Sequence, residues 1–317
     1  MPYGIQIDTH GGPEVLEYRE VERPRVADGE VLVRIHAAGL NFIDTYHRTG
    51  YYPVPSLPTG LGVEAAGVVE GTGRRVAFVV PSVGCYQQYR AVPEASLVDI
   101  PDGISMEQAA AMMLKGMTAR YLLRQTWPVS AGDTLLVQAA AGGVGLILCQ
   151  WASYLGATVI GTVGSPEKAE LARSHGCSHT ILYGDEDVAA RVREITGGAG
   201  VDVVYDSVGQ ATFEASLACL RPRGLMVSFG QSSGPVAAFD PVLLSRHGSL
   251  FMTRPSLFHY IAERESLEEN AGELIDLVAA GTISVPVRQT WHLSEAADAH
   301  RALESRGTTG STVLIVD

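Results

Sequence analysis

From Thr134 to Pro166 the chain carries no charged residue. A stretch of that length and apolarity either crosses a bilayer or is buried inside a protein. Its glycines decide between the two. Gly142, Gly143 and Gly145 interrupt the stretch, Gly156 and Gly161 follow, and the apolar runs on either side are each too short to span a membrane. The residues predict a buried strand, a glycine turn, a helix and a second strand, since parallel strands covered on both faces read as continuous apolar runs.

The same alternation continues downstream. Strands are expected at Thr134 to Ala139, Thr158 to Val163, His179 to Leu182, Val201 to Tyr205, Gly224 to Phe229 and Ser249 to Thr253, with helix-forming runs between them. Six such strands with right-handed crossovers make a doubly wound parallel sheet. After Arg254-Pro255 a helix is expected through Glu273 to Ala280, followed by two short strands, Ile283 to Val287 and Thr312 to Val316, that return to the first part of the chain. That first part has a different texture. It is rich in Val, Gly and Pro, alternates over short runs such as Glu30-Val31-Leu32-Val33-Arg34-Ile35, and turns at Asp28-Gly29, Thr59-Gly60 and Thr72-Gly73. It predicts a β-rich module that gives way near Ser105 to helix formers. With 317 residues, 46% of them hydrophobic, the chain can bury two cores. No long linker separates the lobes, so they are expected to meet in a cleft, where small-molecule sites concentrate.

Lys and Arg number 23 against 35 Asp and Glu, a net charge of −12 that disfavours nucleic acid or an acidic membrane surface as partner. Cysteines 85, 149, 177 and 219 are scattered, with no C-x-x-C pair, which fits free thiols in a reducing compartment. The first residues carry no basic segment followed by an apolar run, so cytoplasmic location is expected.

Ala140-Ala141-Gly142-Gly143-Val144-Gly145 follows the first strand of the charge-free stretch and opens its helix, matching A-x-G-x-x-G. In that setting Gly142 permits a tight turn, small residues let backbone N–H groups approach a pyrophosphate, and Gly145 lets helix and sheet pack closely. A carboxylate at the tip of the second strand would bind the ribose 2′-hydroxyl of NAD. Here the tip reads Val163-Gly164-Ser165-Pro166-Glu167-Lys168, with Lys168 able to neutralise a 2′-phosphate, so NADPH is the expected cofactor. Glu167 is expected to face solvent in the first turn of the next helix, where the dipole favours an acid. The triplet His175, Cys177 and His179 has donors on alternate residues but falls at a helix end and strand start, with no fourth ligand nearby; no metal site is expected there.

With Thr9-His10-Gly11-Gly12-Pro13-Glu14-Val15-Leu16, Gly39-Leu40-Asn41-Phe42-Ile43-Asp44, Leu61-Gly62-Val63-Glu64-Ala65-Ala66-Gly67, Leu114-Lys115-Gly116-Met117-Thr118-Ala119, Val204-Tyr205-Asp206-Ser207-Val208-Gly209 and Phe229-Gly230-Gln231-Ser232-Ser233-Gly234, the whole chain resembles the bacterial NADPH:quinone oxidoreductases related to zeta-crystallin. The resemblance implies an α/β protein, with a Rossmann doubly wound parallel sheet at 123–254 and a β-rich GroES-like catalytic domain at 1–122 and 255–317. It implies cofactor contacts at Phe42, Ile43, Asp44, Thr45, Tyr46, Tyr121, Gly142, Gly143, Val144, Gly164, Ser165, Lys168, Tyr183, Gln231 and Arg306, with Tyr183 and Lys168 flanking the 2′-phosphate. Gln231 stands where most relatives have Asn. The turn from Glu70 to Val76 is about a strand shorter than in relatives, which should trim one edge of the β-rich lobe. The catalytic zinc ligands of related alcohol dehydrogenases correspond to Asn41, Val63 and Lys115, which form no zinc site.

For the reaction, the resemblance implies reduction of a quinone held against the nicotinamide, with Asn41, Tyr46 and Tyr52 offering hydrogen bonds to the developing phenolate. Tyr51-Tyr52-Pro53 serves equally as a packing loop. Reduction of enones on the same scaffold, or a crystallin-like or RNA-binding role without turnover, are the rival readings. A homodimer is expected through the edge of the sheet at Ser249 to Thr253.

Overall fold

Short strands joined by turns occupy the first hundred residues of the computed structural model, which describes residues 1–316. They are β1 (Tyr3–Ile7), β2 (Glu17–Glu20), β3 (Glu30–Leu40), then helix α1 (Phe42–Arg48), β4 (Thr59–Gly60), β5 (Glu64–Val69), β6 (Arg75–Val79), β7 (Tyr89–Pro93) and β8 (Val98–Asp99). Helix α2 (Met106–Tyr121) leads to an alternating series: β9 (Thr134–Val137), α3 (Gly143–Tyr154), β10 (Thr158–Val163), α4 (Pro166–Ser174), β11 (His179–Leu182), α5 (Val188–Ile195), β12 (Val201–Asp206), α6 (Phe213–Cys219), β13 (Leu220–Ser228), α7 (Val242–Arg246) and β14 (Phe251–Thr253). The chain closes with α8 (Leu257–Tyr260), α9 (Arg264–Ala279), β15 (Val287–His292), α10 (Ala296–Glu304) and β16 (Ser311–Ile315).

Two compact units result. One comprises Met1–Met117, Tyr260–Gly281 and the chain from Val285 onward; the other comprises Thr118–His259 and Thr282–Ser284. In the first, β2-β1-β4 form a small sheet and β15-β16-β3-β5-β6-β8 a larger one, with β7 also paired to β3. The long β3 is the spine: β16, β5 and β7 pair antiparallel along it. Its inward residues, Val33, Ile35, Ala38 and Leu40, join Phe78, Leu97 and Leu314 in one apolar core. Burying such side chains supplies about 1.5–3 kcal/mol each. The β5–β6 turn is tight, with Gly71 and Gly73 in the left-handed region at φ +80° and +73°.

The second unit is the doubly wound α/β sheet expected from the alternation, with all pairings parallel and order β11-β10-β9-β12-β13-β14. The charge-free stretch is its heart: Leu135, Leu136, Leu146, Ile147, Leu148, Trp151, Val159 and Ile160 have no solvent exposure. No helix among the described residues is long and apolar enough to cross a membrane. All four cysteines are free and buried.

One predicted strand is misplaced. Ile283 to Val287 was expected to pair, whereas the strand is Val287–His292, parallel to β16. The apolar residues Ile283 and Val285 are buried without joining a ladder. The Ser284 backbone is satisfied by a side chain: its N–H donates to Gln150 Oε1 (2.9 Å) and its carbonyl accepts from Gln150 Nε2 (3.0 Å). Pro286, which has no N–H to offer a ladder, then separates this segment from the strand.

Candidate functional site

In the second unit the glycine turn has the geometry a phosphate needs. Gly142 is the extended N-cap of α3, so the helix presents its first backbone N–H groups at the turn. At Gly145 an added Cβ would stand 2.5 Å from the Ala139 carbonyl and 2.7 Å from that of Ala140, so only glycine lets α3 sit this close to the turn. Ala139 adopts φ +55°, an uncommon conformation for a residue with a side chain. Gly142, Gly143 and Val144 are partly exposed.

The end of β10 lies beside the end of β11. Ser165 caps α4 by accepting from the Lys168 N–H (3.3 Å), Lys168 is half-buried in the first turn, and Glu167 is exposed there. Across from them, a Cβ on Gly164 would lie 2.5 Å from the Tyr183 hydroxyl, so that hydroxyl rests on the glycine backbone. The structure therefore brings together Gly164, Ser165, Lys168 and Tyr183, four residues separated by up to 19 positions, around a strand tip without a carboxylate.

Beneath these loops runs a polar chain that sequence patterns do not disclose. Thr162 Oγ1 donates to Gln138 Oε1 (2.5 Å), Gln138 Nε2 to Ser216 Oγ (3.0 Å), and Ser216 Oγ to Asp206 Oδ2 (2.8 Å). Asp206 is fully buried and also accepts from the N–H groups of Val208 and Gly209 and from Thr212 Oγ1. It locks the loop after β12, on which the loop after β13 then rests: Ser232 N–H donates to Ser207 O (3.1 Å) and Ser233 N–H to Val208 O (2.8 Å). Gln231, almost buried, is thereby held beside Gly209, whose φ is +88°. The only forewarning in the sequence was the Tyr205-Asp206-Ser207-Val208-Gly209 stretch itself.

In the first unit Asn41 is the N-cap of α1, and its N–H donates to Asp44 Oδ2 (2.8 Å), the acid reaching back to the cap. The Asn41 amide donates to Glu64 Oε2 (2.8 Å) and to Gly39 O (3.3 Å). Both amide hydrogens thus have partners within the protein. The Asp44 carboxylate is fully buried and also accepts from the Tyr86 hydroxyl (2.8 Å). Burial pushes the Asp44 carboxyl up to about 7 despite those two bonds. Tyr121 is buried as well, at 2% exposure, and Thr45 at 8%. Phe42, Ile43, Tyr46 and Tyr52 are half-buried on or just after α1. The rings of Tyr46 and Tyr52 meet edge to face at 5.2 Å, with Tyr51 at 5.4 Å from Tyr52. Arg306 is exposed, two residues beyond the end of α10.

Glu64 is the residue sequence reasoning passed over. It is fully buried, accepts from the Leu114 N–H (2.8 Å) as well as Asn41, and stands 3.7 Å from Lys115 Nζ, which also donates to Leu40 O (3.2 Å). These are the positions a catalytic zinc would need. An ammonium occupies one, Val63 offers no donor, and the one carboxylate already accepts from two N–H groups and faces that ammonium; the set does not fit a zinc ion. Among the described residues no group of three or more His, Cys, Asp or Glu could hold a metal.

A β-rich unit followed by a doubly wound dinucleotide unit, with a glycine turn at α3, is the make-up of the medium-chain dehydrogenases and reductases. Residues 27–81 match the alcohol dehydrogenase GroES-like domain and residues 143–279 the zinc-binding dehydrogenase family. A quinone oxidoreductase of Pseudomonas aeruginosa is 52% identical over 98% of both chains, and a 2-haloacrylate reductase of a Burkholderia species is 46% identical over 98% of this chain and 97% of that protein. The crystal structure of an Escherichia coli quinone oxidoreductase complexed with NADPH superposes with a TM-score of 0.97 at 48% identity, covering 99% of each chain. The chain belongs to the quinone oxidoreductase family of the medium-chain dehydrogenases and reductases.

Proposed function

We propose that this protein is an NADPH:quinone oxidoreductase that works without zinc. The observation that carries the reading is its likeness, over nearly the whole chain, to a quinone oxidoreductase solved with NADPH. The local chemistry agrees with it. The N-terminus of α3 and the Gly142–Gly145 turn receive the pyrophosphate; Ser165, Lys168 and Tyr183, around a strand tip that lacks the acid NAD would call for, receive the 2′-phosphate. Bound NADPH supplies a hydride. Phe42, Ile43, Thr45, Gly143, Val144, Gly164, Gln231 and Arg306 complete the cofactor contacts we assign.

The acceptor is a quinone, whose reduction to hydroquinone needs the hydride and one proton. Tyr46 and Tyr52 carry hydroxyls on a rigid aromatic cluster, and we assign them to the oxygen on which charge develops. Asn41 caps the start of α1, the helix that carries Tyr46. We further assign the protein to the cytoplasm, as a homodimer joined at β14, an edge strand on which Phe251 is 63% exposed; a monomeric mass by light scattering at micromolar concentration would refute the dimer. A second reading, reduction of an activated alkene, is favoured by the likeness to the 2-haloacrylate reductase.

The deciding experiment is steady-state oxidation of NADPH and, separately, NADH with 1,4-benzoquinone, with and without a strong zinc chelator. The expected result is chelator-insensitive turnover that prefers NADPH. No turnover with quinones but turnover with enones or haloacrylates would move the assignment to the second reading, and chelator sensitivity would overturn the zinc-free one.

A further inference from the structure

The Thr9-His10-Gly11-Gly12 motif has no place in the chemistry above, yet it touches the most buried cation of the first unit. Arg48, the last residue of α1, has a side chain only 1% exposed. Its guanidinium donates to four acceptors on two distant segments: Nε to Gly11 O (3.1 Å), Nη1 to His300 Nδ1 (2.9 Å) and Glu304 Oε2 (3.1 Å), and Nη2 to Glu304 Oε1 (2.7 Å). Its own carbonyl accepts from the Gly11 N–H (3.2 Å) and faces His10 Nδ1 (3.2 Å). Burial and the neighbouring guanidinium push His300 down to about 3, so its ring is neutral and Nδ1 is an acceptor. The motif's histidine also packs on Gly50, in the turn that leads to Tyr51 and Tyr52.

Both ends of this clasp carry residues assigned to the cofactor. Arg48 lies one and a half turns after the Phe42–Ile43 end of α1 and two residues after Tyr46; Glu304 ends α10 two residues before Arg306. Arg306 sits at φ +61°, a left-handed conformation that costs a residue with a side chain on the order of 1 kcal/mol and that Gly307, its neighbour, would adopt freely. Strain of this kind persists where the surroundings hold it. A buried ion pair stabilises little compared with an apolar contact of the same volume, but a bidentate fork fixes direction as well as distance.

We propose that Arg48 and Glu304 are positioning residues that lock the α1 turn and the Arg306 turn into one arrangement for NADPH. The proposal rests on the NADPH reading given above. Neither residue needs to touch the cofactor; each acts through its neighbours.

The test uses Glu304→Gln, which keeps shape and removes charge at a partly exposed site, and Arg48→Lys, which keeps charge and removes the fork. NADPH affinity is read by fluorescence titration, alongside melting temperature and the separation of kcat from KM. Leu97→Ala, a core truncation in the same unit, supplies a control of matched or greater destabilisation. Glu304→Gln is expected to weaken NADPH binding about tenfold and to raise KM for NADPH, with kcat at saturation within about twofold. Its effect should be non-additive with Arg306→Met. Wild-type affinity in both clasp variants, or equal weakening by Leu97→Ala, overturns the proposal. Failure of the wild type to bind NADPH at all would instead overturn the cofactor reading, and this proposal with it.

Discussion

Lys115 Nζ lies 3.7 Å from Glu64 Oε2, with the Glu64 side chain fully buried and that of Lys115 only 8% exposed. Removing the cation alone strands a carboxylate in the core. Lys115→Met should therefore lose about 3–5 kcal/mol of stability at pH 8. Urea denaturation measures the loss, and Lys115→Met with Glu64→Gln should recover much of the deficit. A deficit that Glu64→Gln does not relieve would show that the stranded carboxylate is not its cause.

The Asp44 carboxyl, raised by burial from 3.8 to about 7, makes a separate pH prediction. A carboxyl whose folded value is raised contributes fully below its unfolded value, and that contribution is lost as pH rises from about 4 through about 7. Asp44→Asn keeps an acceptor for Asn41 N–H and the Tyr86 hydroxyl but does not titrate. Between pH 4 and pH 8 the wild type should lose on the order of 2–4 kcal/mol relative to this variant. Parallel stability profiles would mean that Asp44 stays ionised in the fold.

Two glycines should respond in opposite senses to alanine. At Gly145 the new Cβ meets backbone carbonyls at 2.5 and 2.7 Å, so α3 must shift; a loss of about 2 kcal/mol or more and weaker NADPH binding are expected. At Gly272, inside α9, nothing lies within 4 Å, and Gly272→Ala should raise stability by about 0.5–1 kcal/mol through helix propensity. Thermal melting of the pair checks both signs at once.

Lys168→Met should raise KM for NADPH by about ten- to a hundredfold and leave KM for NADH nearly unchanged, since only the former carries the extra phosphate. Gly164→Ala should act in the same direction more weakly by displacing the Tyr183 hydroxyl. If Lys168→Met weakens both cofactors equally, the lysine is not the 2′-phosphate partner.

Tyr46→Phe and Tyr52→Phe retain the edge-to-face ring pair and delete only the hydroxyls. At least one should lower kcat with benzoquinone by about tenfold or more, the scale of a lost hydrogen bond to developing charge. Unchanged turnover in both would reduce the cluster to packing.

The second unit was the more legible of the two. Thr158 to Val163 is a strand at the predicted residues because a buried parallel strand reads as an apolar run, and His179 to Leu182, at the sheet edge, because its β-favouring Thr180 and Ile181 lie between the turns at Gly176 and Gly184. At Ile283 to Val287 the β-like run predicts a strand, but Gln150, 134 positions from Ser284, satisfies the Ser284 backbone and leaves no ladder there. The glycine turn was readable because its constraint is local. The commitments of Asn41 and Asp44 were not, since they depend on Glu64 and Tyr86, which composition and periodicity do not connect to α1.

The four inward-facing thiols have a bearing on survival in use. Burial pushes Cys85 to about 11 and Cys219 to about 12, and it is the ionised sulfur that adds to electrophilic rings. Quinones are such rings. Cys177 is the exception, its hydrogen bond with Cys149 holding the thiol below its ordinary value, so burial alone, with 4% of the residue exposed, keeps that sulfur from such an encounter. A catalyst that meets quinones at every turnover is insulated from its own substrate when its sulfurs are kept in the core, where encounter does not come readily.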